Sequence, residues 1–328
     1  MTAMKRILGA LAMSLASSGG WAAQAVNVIL FPGGANWTLW VAQEKGFFAR
    51  QDLEVKLTPT PNSVYLMQNL DAGKFDIAFA AIDNVVGYQE GQGEAPLPRP
   101  PEFFAFVGQQ HGGVRLYARP EYERIEDLKG KSLAVDAATT GYAFVLRKLL
   151  QKAGLGEGDY TFDRLGGTGQ RAQALMDGKT AATIVTSPLD IVPASKGMRR
   201  LGNVVDDIGP YQGTCGVTRR SWAREHEAEL VGFIRAYLQA MRWLTDPAHR
   251  AEAVAIYRKE LPQASEEAAQ KAWDALTGER EGLQRDGRLD RAGIETVLAL
   301  RSEYGVPRKA LGPPEKYFDE SYLEKALH

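Results

Sequence analysis

The sequence has very few cysteine and histidine residues. Its 328 residues include one cysteine, Cys215, and four histidines that are far apart in the chain. A single cysteine cannot form an internal disulfide, so stability must come from a buried apolar core. The sequence contains no HExxH motif, no Cys/His cluster with metal-ligand spacing and no GxSxG turn. No catalytic residue, metal site or cofactor is therefore predicted.

An excess of charge of either sign is also missing. The chain has 39 Lys and Arg against 40 Asp and Glu, a formal net charge of −1. This balance provides no electrostatic footprint for nucleic acid or anionic lipid, so neither is a predicted partner. The glycine-rich run Gly166-Gly167-Thr168-Gly169 lacks the Lys-Ser/Thr of a P-loop and the spacing of a dinucleotide fingerprint. Neither kind of nucleotide site is predicted.

The N-terminus has the features of a secretory signal peptide. Lys5-Arg6 precedes a mostly apolar stretch, residues 7–16, that is far shorter than the roughly 20 residues needed to cross a bilayer. Ala23-Gln24-Ala25 then fits the small-x-small cleavage pattern, and cleavage after Ala22 is the alternative. Residues 1–25 are therefore predicted to be a signal peptide, leaving 37 basic and 40 acidic residues in a soluble mature chain.

Two stretches of the chain alternate between strand and helix patterns. From Val26 to about residue 107, short apolar runs alternate with segments whose apolar residues have helical spacing. The same alternation follows Gly112-Gly113 and continues to about residue 205. This order predicts parallel strand pairing and an α/β lobe in each stretch. From Ser221 onward the pattern is helical almost throughout, so this part is predicted to pack on the lobes.

Three local predictions can be compared directly with a structure. Val204-Val205 is predicted to be a short strand. The apolar spacing predicts one helix from Trp222 to Leu244 and another from Arg291 to Tyr304.

Three turns have the same composition, with small residues between a strand and the start of a helix. They are Gly33–Asn36, Thr139–Tyr142 and Gly166–Gln170. Free backbone N–H groups and the positive end of a helix dipole face each turn, and glycine lets a ligand approach the backbone. Ordinary helix capping explains one such turn. Three at the strand ends of two adjacent lobes favour a shared anion-binding crevice.

Two residues beside these turns are candidates because of their own chemistry. Tyr142 directly follows the glycine of the second turn, where its ring could contact the organic body of a ligand. Asp83 is the one acid predicted at a strand end near the crevice. It could cap the following helix or accept a hydrogen bond from a ligand amine or hydroxyl, and the sequence leaves both interpretations open.

Four segments carry a recognisable family pattern: Trp37–Phe48, Leu70–Ala78 with the pattern L-x-x-G-x-x-D-x-A, Leu128–Val135 and Ala174–Ala182. They resemble the substrate-binding proteins of nitrate/sulfonate/taurine-type ABC transporters, including thiamine-pyrimidine-like members. The resemblance covers roughly residues 26–220. It implies the type II periplasmic-binding fold, an α/β fold with two hinged lobes and a helical C-terminal extension. The implied divisions are a signal peptide at 1–25, the first lobe at 26–110, the second lobe at 111–210, and a return to the first lobe with the C-terminal helices at 211–328.

The resemblance also implies a function. A monomeric periplasmic protein would capture a small organic anion (a sulfonate, a carboxylate or a pyrimidine-type molecule) and deliver it to an inner-membrane permease with a cytoplasmic ATPase. By position, the cleft would be lined by Trp37, Asp83, Thr139, Thr140, Gly141, Thr168, Ser187 and Tyr211, with Tyr142 added from its own chemistry.

Two alternatives share this fold. A thiamine-pyrimidine synthase-like enzyme would depend on a histidine and a cysteine-rich motif, whereas this chain has one cysteine. A ligand-sensing subunit of a membrane receptor could have the same sequence features as an importer component.

Overall fold

The computed structural model describes residues 23–328, so most of the predicted signal peptide lies outside the described residues. Two five-stranded sheets form the framework of this part of the chain. The first sheet contains β1 Gln24–Leu30, β2 Leu53–Pro59, β3 Ile77–Ala81, β4 Phe103–Gly108 and β10 Thr214–Arg219. The second contains β5 Val114–Ala118, β6 Ser132–Val135, β7 Thr161–Arg164, β8 Ala182–Thr186 and β9 Arg199–Asn203.

The two sheets have the same strand pattern. Their orders are β2-β1-β3-β10-β4 and β7-β6-β8-β5-β9. In each sheet three neighbouring strands are parallel, and the fourth strand runs antiparallel to both of its neighbours. The chain passes between the sheets after β4 and again before β10. The two-lobed α/β architecture predicted from the strand–helix alternation is confirmed.

Helices cover both faces of each sheet, which explains why β4 is buried along its whole length and is apolar without interruption. Those of the first lobe are α1 Trp37–Glu44, α2 Ser63–Asp71 and α3 Ile82–Gln89. Those of the second lobe are α4 Gly141–Lys152, α5 Thr168–Met176, α6 Ile191–Ser195 and α7 Val204–Asp207. None of the helices within residues 23–328 combines the length and the apolar character needed to span a membrane.

The C-terminal helices pack on this framework, as expected. They are α8 Arg220–Glu225, α9 Glu227–Thr245, α10 Arg250–Glu260, α11 Glu266–Thr277, α12 Arg291–Tyr304 and α13 Ser321–Leu327. Helices α9, α10 and α13 lie against the first lobe, whereas α12 contacts both α3 of the first lobe and α4 of the second. Helix α12 therefore bridges the two lobes.

Two of the three local predictions need correction. Val204-Val205 begins α7 and is not a strand, because the Asn203 side chain accepts a hydrogen bond from Val205 N at 3.1 Å and so caps a helix there. The helix expected from Trp222 to Leu244 is interrupted at His226, whose φ of −127° and ψ of 43° are not helical. The helix from Arg291 to Tyr304 is confirmed as α12.

The two crossings between the lobes pair with each other and with a third segment. His111 in the first crossing forms an antiparallel bridge with Gln212 in the second. The loop between α11 and α12 adds Gln284, whose backbone N–H donates to Gln109 O at 3.0 Å. The side-chain amides of Gln284 and Gln212 exchange two hydrogen bonds, at 2.8 and 3.2 Å. Three segments of the chain therefore lie side by side where the lobes join.

Candidate functional site

A cavity of about 750 Å³, continuous with solvent, lies between the two lobes. Its walls come from the carboxyl ends of β1, β3, β6 and β8, from the turns that begin α4 and α5, and from both crossings. Crevices at the carboxyl ends of parallel strands are the usual binding sites of α/β proteins.

Five of the predicted site residues line this cavity: Asp83, Thr140, Gly141, Tyr142 and Thr168. They come from both lobes, Asp83 from the start of α3 and the others from the starts of α4 and α5. The structure therefore brings these residues together around one space. Their contact with a ligand remains a prediction.

The prediction for Trp37 is corrected. Its side chain is fully buried in the core of the first lobe, where the centroid of its ring lies 4.3 Å from that of the Tyr257 ring. The indole Nε1 donates to Ala253 O of α10 at 3.1 Å. Its predecessor Asn36 lines the cavity instead. Helix α10, whose packing the sequence did not reveal, covers Trp37.

Three other predicted residues are not part of the cavity wall, although each is next to a lining residue. The Thr139 hydroxyl donates to Glu94 Oε2 at 2.7 Å. Ser187 is 1% exposed and follows the lining residue Thr186. Tyr211 is 1% exposed, and its ring lies 6.4 Å from that of Tyr142. These three residues therefore lie outside the cavity wall.

The turns before α4 and α5 offer fewer free backbone N–H groups than expected. The Gly141 N–H donates to Asp83 Oδ2 at 2.6 Å, and the Gly167 N–H donates to Gln170 Oε1 at 2.8 Å. The chain itself has therefore supplied acceptors at two of the three turns. These two N–H groups are therefore not available to a ligand, and binding by the other N–H groups of the turns stays a prediction.

Asp83 forms a buried salt bridge that the sequence analysis missed. The Arg301 guanidinium donates from Nε to Asp83 Oδ1 and from Nη2 to Oδ2, both at 2.7 Å, and each side chain is 2% exposed. Arg301 Nη2 also donates to Thr139 O at 2.8 Å. The sequence predicted that Asp83 either caps the following helix or accepts a hydrogen bond from a ligand, and this salt bridge is neither of these. Arg301 of α12 neutralises the carboxylate. The carboxylate also accepts the Gly141 N–H and so holds the turn that begins α4.

Two glycines provide the space for this salt bridge. A Cβ atom at Gly141 would lie 2.5 Å from Asp83 Cγ, and one at Gly87 would lie 2.6 Å from Arg301 Nη1. Both distances are too short for non-bonded atoms. Glycine at both positions therefore allows the pair to sit between the lobes.

A second buried arginine, Arg171 of α5, lines the cavity itself and is 2% exposed. It donates to Thr183 Oγ1 at 3.1 Å, Gly166 O at 2.7 Å, and Thr168 Oγ1 and Ile184 O, both at 3.2 Å. All four acceptors are neutral, and within residues 23–328 no salt bridge joins Arg171 to a carboxylate. Burial lowers the pKa of the Arg171 guanidinium from its usual value, but arginine stays protonated in proteins. The negative charge of Asp136 opposes this shift through space, but no carboxylate of residues 23–328 forms a salt bridge with Arg171. The wall therefore presents a positive charge without a directly bonded counterion.

The nearest acid on this wall is Asp136, which directly follows β6. Its Oδ2 accepts a hydrogen bond from Ser63 N of the first lobe at 3.1 Å. Its Oδ1 is buried and has no hydrogen-bond donor among the described residues. Arg171 donates to Thr183 and Ile184 of β8, the strand beside β6. Asp136 and Arg171 are therefore near enough for their charges to interact, but they form no salt bridge.

The rest of the wall is largely apolar. Phe31, Phe79, Leu189 and the ring of Tyr142 line it. Burial raises the pKa of the Tyr142 phenol to about 12, so this side chain is neutral near pH 7 and can donate or accept a hydrogen bond. In the described part of the chain, no cluster of three His, Cys, Asp or Glu side chains could hold a metal ion.

Comparisons with known proteins identify the family and the fold of the chain. A family model described as NMT1/THI5 like matches residues 36–251. A solved structure of a protein from Bordetella bronchiseptica RB50 has a TM-score of 0.78 at 19% identity, over 92% of this chain and 96% of that one. A search of curated protein sequences found no significant match.

Two further similar structures are those of proteins named for the anions that they bind. The periplasmic nitrate-binding protein NrtA from Synechocystis PCC 6803 has a TM-score of 0.74 at 13% identity, over 92% of this chain and 88% of that one. The alkanesulfonate-binding protein SsuA from Xanthomonas axonopodis pv. citri, solved with MOPS bound, has a TM-score of 0.68 at 16% identity, over 88% of this chain and 95% of that one. The periplasmic-binding-protein fold implied by the sequence resemblance is confirmed.

Proposed function

The chain belongs to the NMT1/THI5-like family, and on that premise we propose that it is the solute-binding component of an ABC importer. Its ligand is a small organic anion, held in the cavity between the lobes. The nitrate- and alkanesulfonate-binding proteins of the same fold support solute capture as the function. The side chains of the cavity support an anion as the solute.

The observation that carries this proposal is the buried charge of Arg171. A buried ion without a hydrogen-bonded counterion is costly, and proteins pair such charges or bind an ion with them. Arg171 donates only to neutral acceptors of its own chain, and its side chain lines the cavity. A carboxylate, sulfonate or similar group in the cavity would neutralise it. A hydrogen bond between charged groups contributes about 1.5–3 kcal/mol, which corresponds to ten-fold or more in affinity.

Binding without catalysis is the interpretation that the cavity supports. Within the described residues its wall includes neither histidine nor cysteine, the residue types on which a thiamine-pyrimidine synthase-like enzyme would depend. Cys215 is fully buried in β10, where its thiol lies 3.4 Å from Ala80 O, and burial raises the pKa of that thiol. We infer that this thiol is part of the core. A receptor subunit would bind its ligand in the same way, and neighbouring permease and ATPase genes would distinguish the importer.

The proposal includes export to the periplasm and association of the monomer with a permease whose ATPase is cytoplasmic. Strand β1 begins at Gln24, and its first two residues pair in parallel with Leu53 and Glu54 of β2. Cleavage after Ala25 would remove these two residues from the sheet, whereas cleavage after Ala22 would keep β1 whole. We propose that the mature chain begins at Ala23, which N-terminal sequencing of the periplasmic protein would check.

A thermal-shift screen tests the proposed function. The mature protein is heated with sulfonates, aromatic carboxylates, pyrimidines and nitrate, because a ligand that binds the folded state raises the midpoint of unfolding. We expect at least one anion to raise it. Arg171→Gln should weaken the affinity for that anion at least ten-fold.

Arg219→Gln is the matched control. Arg219 also donates to backbone carbonyls, including Phe75 O at 2.8 Å, and burial also lowers the pKa of its guanidinium, but it lies outside the cavity. This variant should keep the affinity of the wild type. A screen in which only neutral or cationic compounds raise the midpoint, or an Arg171→Gln variant that binds anions normally, would contradict the proposal.

A further inference from the structure

We propose that Glu94 is a latch between the two lobes, and that its carboxylate holds them closed by binding Thr139 and Arg164 of the second lobe. Glu94 lies in the loop between α3 and β4, outside the cavity wall. This inference goes beyond the proposed function, because it assigns control of lobe opening to a residue that does not line the cavity. It does not depend on the chemistry of the solute.

The first argument is that both carboxylate oxygens of Glu94 bind the opposite lobe. The Thr139 hydroxyl donates to Oε2 at 2.7 Å, and Arg164 Nη1 lies 2.6 Å from Oε1. The Glu94 side chain is 13% exposed, so water competes little for these bonds. Within residues 23–328, no hydrogen bond or salt bridge joins this carboxylate to the first lobe. The side chain therefore serves the contact between the lobes.

The second argument is that the first lobe holds the loop in place. The backbone N–H of Gln92 donates to Gly87 O of α3 at 2.7 Å. A Cβ atom at Gly93 would lie 2.9 Å from Tyr88 Cδ1, so the loop lies directly on α3. These contacts fix the two residues before Glu94 to the first lobe. Its carboxylate therefore stays with the first lobe when the lobes separate.

The third argument is the position of Arg164 in the second sheet. Arg164 ends β7, which is an edge strand, whereas the two crossings adjoin β5 and β9 on the other side of the sheet. Three strand spacings separate β7 from β5, roughly 14 Å in all. A hinge rotation about the crossings therefore moves Arg164 farther than it moves residues near the crossings. Its contact with Glu94 breaks early as the lobes open.

The competing explanation is that Glu94 only supports the turn before α4. Its removal would then lower the stability of the fold and leave the arrangement of the lobes unchanged. A latch gives the opposite result, because the open and closed forms are both folded. Removing the latch shifts the population of the two forms and changes the unfolding midpoint little.

Double electron–electron resonance measures the arrangement of the lobes in the mature protein without any ligand. Spin labels are attached through Gln68→Cys of α2 and Gln173→Cys of α5, two exposed positions. Both helices begin at residues of the cavity wall, one in each lobe, so the distance between the labels rises when the lobes open. Cys215 is fully buried, so the label reacts at the two new thiols.

The wild-type protein should show a populated short distance. Glu94→Ala should lower the ratio of closed to open protein at least ten-fold, because it removes a hydrogen bond to a carboxylate together with a salt bridge. Glu94→Gln keeps an acceptor for Thr139 and should have a smaller effect. Arg164→Gln should lower the ratio about two- to five-fold alone, and should have no effect when Glu94→Ala is already present.

Glu121→Gln is the matched control. Glu121 forms a salt bridge with Arg119 at 2.6 Å that lies wholly within the second lobe. This variant should keep the wild-type distribution of distances. Circular dichroism and the unfolding midpoint establish that each variant is folded.

The inference is overturned if the wild-type protein shows only the long distance, if Glu94→Ala leaves the distribution unchanged, or if Arg164→Gln has the same effect with and without Glu94. Loss of the fold in both Glu94 variants would make Glu94 structural and would also overturn it. Because no ligand enters the experiment, the latch can fail while an anion still binds through Arg171. Failure of the thermal-shift screen would overturn the proposed function and leave the latch intact.

Discussion

Two arginines are buried beside the same cavity, and the chain treats their charges differently. Arg301 of α12 forms a two-point salt bridge with Asp83, whereas Arg171 of α5 has four neutral acceptors and no salt bridge within the described chain. Both side chains are 2% exposed, so water does not explain the difference. A buried charge that the protein pairs contributes to the fold. One that it leaves unpaired in a cavity is available to a ligand.

The contrast extends to the regions around the two arginines. On the side of α12, Glu90 at the end of α3 accepts hydrogen bonds from Lys309, Lys316 and Tyr317. On the edge of the second sheet, Asp136 keeps one oxygen without a donor among the described residues. The first region has its buried charges satisfied by the chain, and the second does not. Three substitutions test this difference.

Breaking the paired arginine should have the largest effect on stability. Arg301→Gln leaves the Asp83 carboxylate buried without a counterion, which costs about 3–5 kcal/mol of unfolding free energy. The unfolding midpoint should fall by roughly 5–8 °C, as measured by calorimetry. Asp83→Asn combined with Arg301→Gln should cost less than the sum of the two single variants, because the two side chains interact directly.

Arg258→Gln is the control for this prediction. Its salt bridge to Glu266 is 3.4 Å long, with side chains that are 48% and 68% exposed. Exposed pairs of this kind contribute less than about 1 kcal/mol. A loss for Arg301→Gln as small as that of the control would mean that the buried pair contributes little to the fold.

An intermediate effect, which depends on pH, is expected at Glu90. Burial opposes ionisation of this side chain, but the hydrogen bonds from Lys309, Lys316 and Tyr317 outweigh it and lower the pKa to about 2. A lowered carboxylate pKa stabilises the fold above the unfolded value of about 4.5, and this contribution is lost as the pH falls towards 2. Because both lysines are partly exposed, we expect Glu90→Gln to cost about 1–2 kcal/mol at pH 7.

Urea unfolding between pH 2.5 and 7 measures this dependence. The difference between wild type and Glu90→Gln should be constant above about pH 5 and shrink as the pH falls. Glu267→Gln, which removes an exposed salt bridge with Lys271 on α11, should show a much smaller trend, because solvent screens an exposed pair. A difference that does not change with pH would exclude the ionised Glu90 as its source.

The smallest effect on stability should follow removal of the unpaired arginine. Arg171→Gln loses hydrogen bonds to neutral acceptors but also removes a buried charge, and these changes oppose each other. Without ligand we expect the unfolding free energy to change by no more than about 1 kcal/mol. The same urea experiment measures it, with Arg219→Gln as the control. A loss of about 3 kcal/mol would mean that Arg171 is structural and would remove the contrast with Arg301.

The sequence carried a signal for both arginines that the motif analysis did not use. In α12, Arg301 continues the buried stripe of Ile294, Val297 and Leu298 at helical spacing. In α5, Arg171 is buried with Ala172 and Leu175 on one face. A charged residue within an apolar stripe marks a buried charge, because the rest of the stripe faces the core. The partner of that charge depends on long-range packing: Asp83 and Arg301 are separated by 218 positions in the chain.

The difference between local spacing and long-range packing also explains which other features of the fold and the site could be predicted. The strands and helices of the lobes follow from local apolar spacing, and the fold follows from their order. Strand β10 was not predicted, because Thr214–Arg219 is a central buried strand with a glycine and no alternation of apolar and polar residues. The turns that begin α4 and α5 were located correctly, but their N–H groups bind Asp83 and Gln170. Local sequence places a donor, and only the packed chain decides which acceptor it meets.

The contacts of the Asp83–Arg301 pair with the second lobe also affect how long a bound molecule stays in the cavity. Opening the lobes must break the bonds from Gly141 N to Asp83 and from Arg301 to Thr139 O. At about 1.5–3 kcal/mol for each charge-assisted bond, these two contacts reduce the population of the open state by roughly 10²–10⁴. We expect opening of the lobes to widen the entrance of the cavity and so to govern the exchange of a solute. Slow exchange then gives the bound molecule a long residence in the protein, and contact with a permease that favours the open state would set the moment of release.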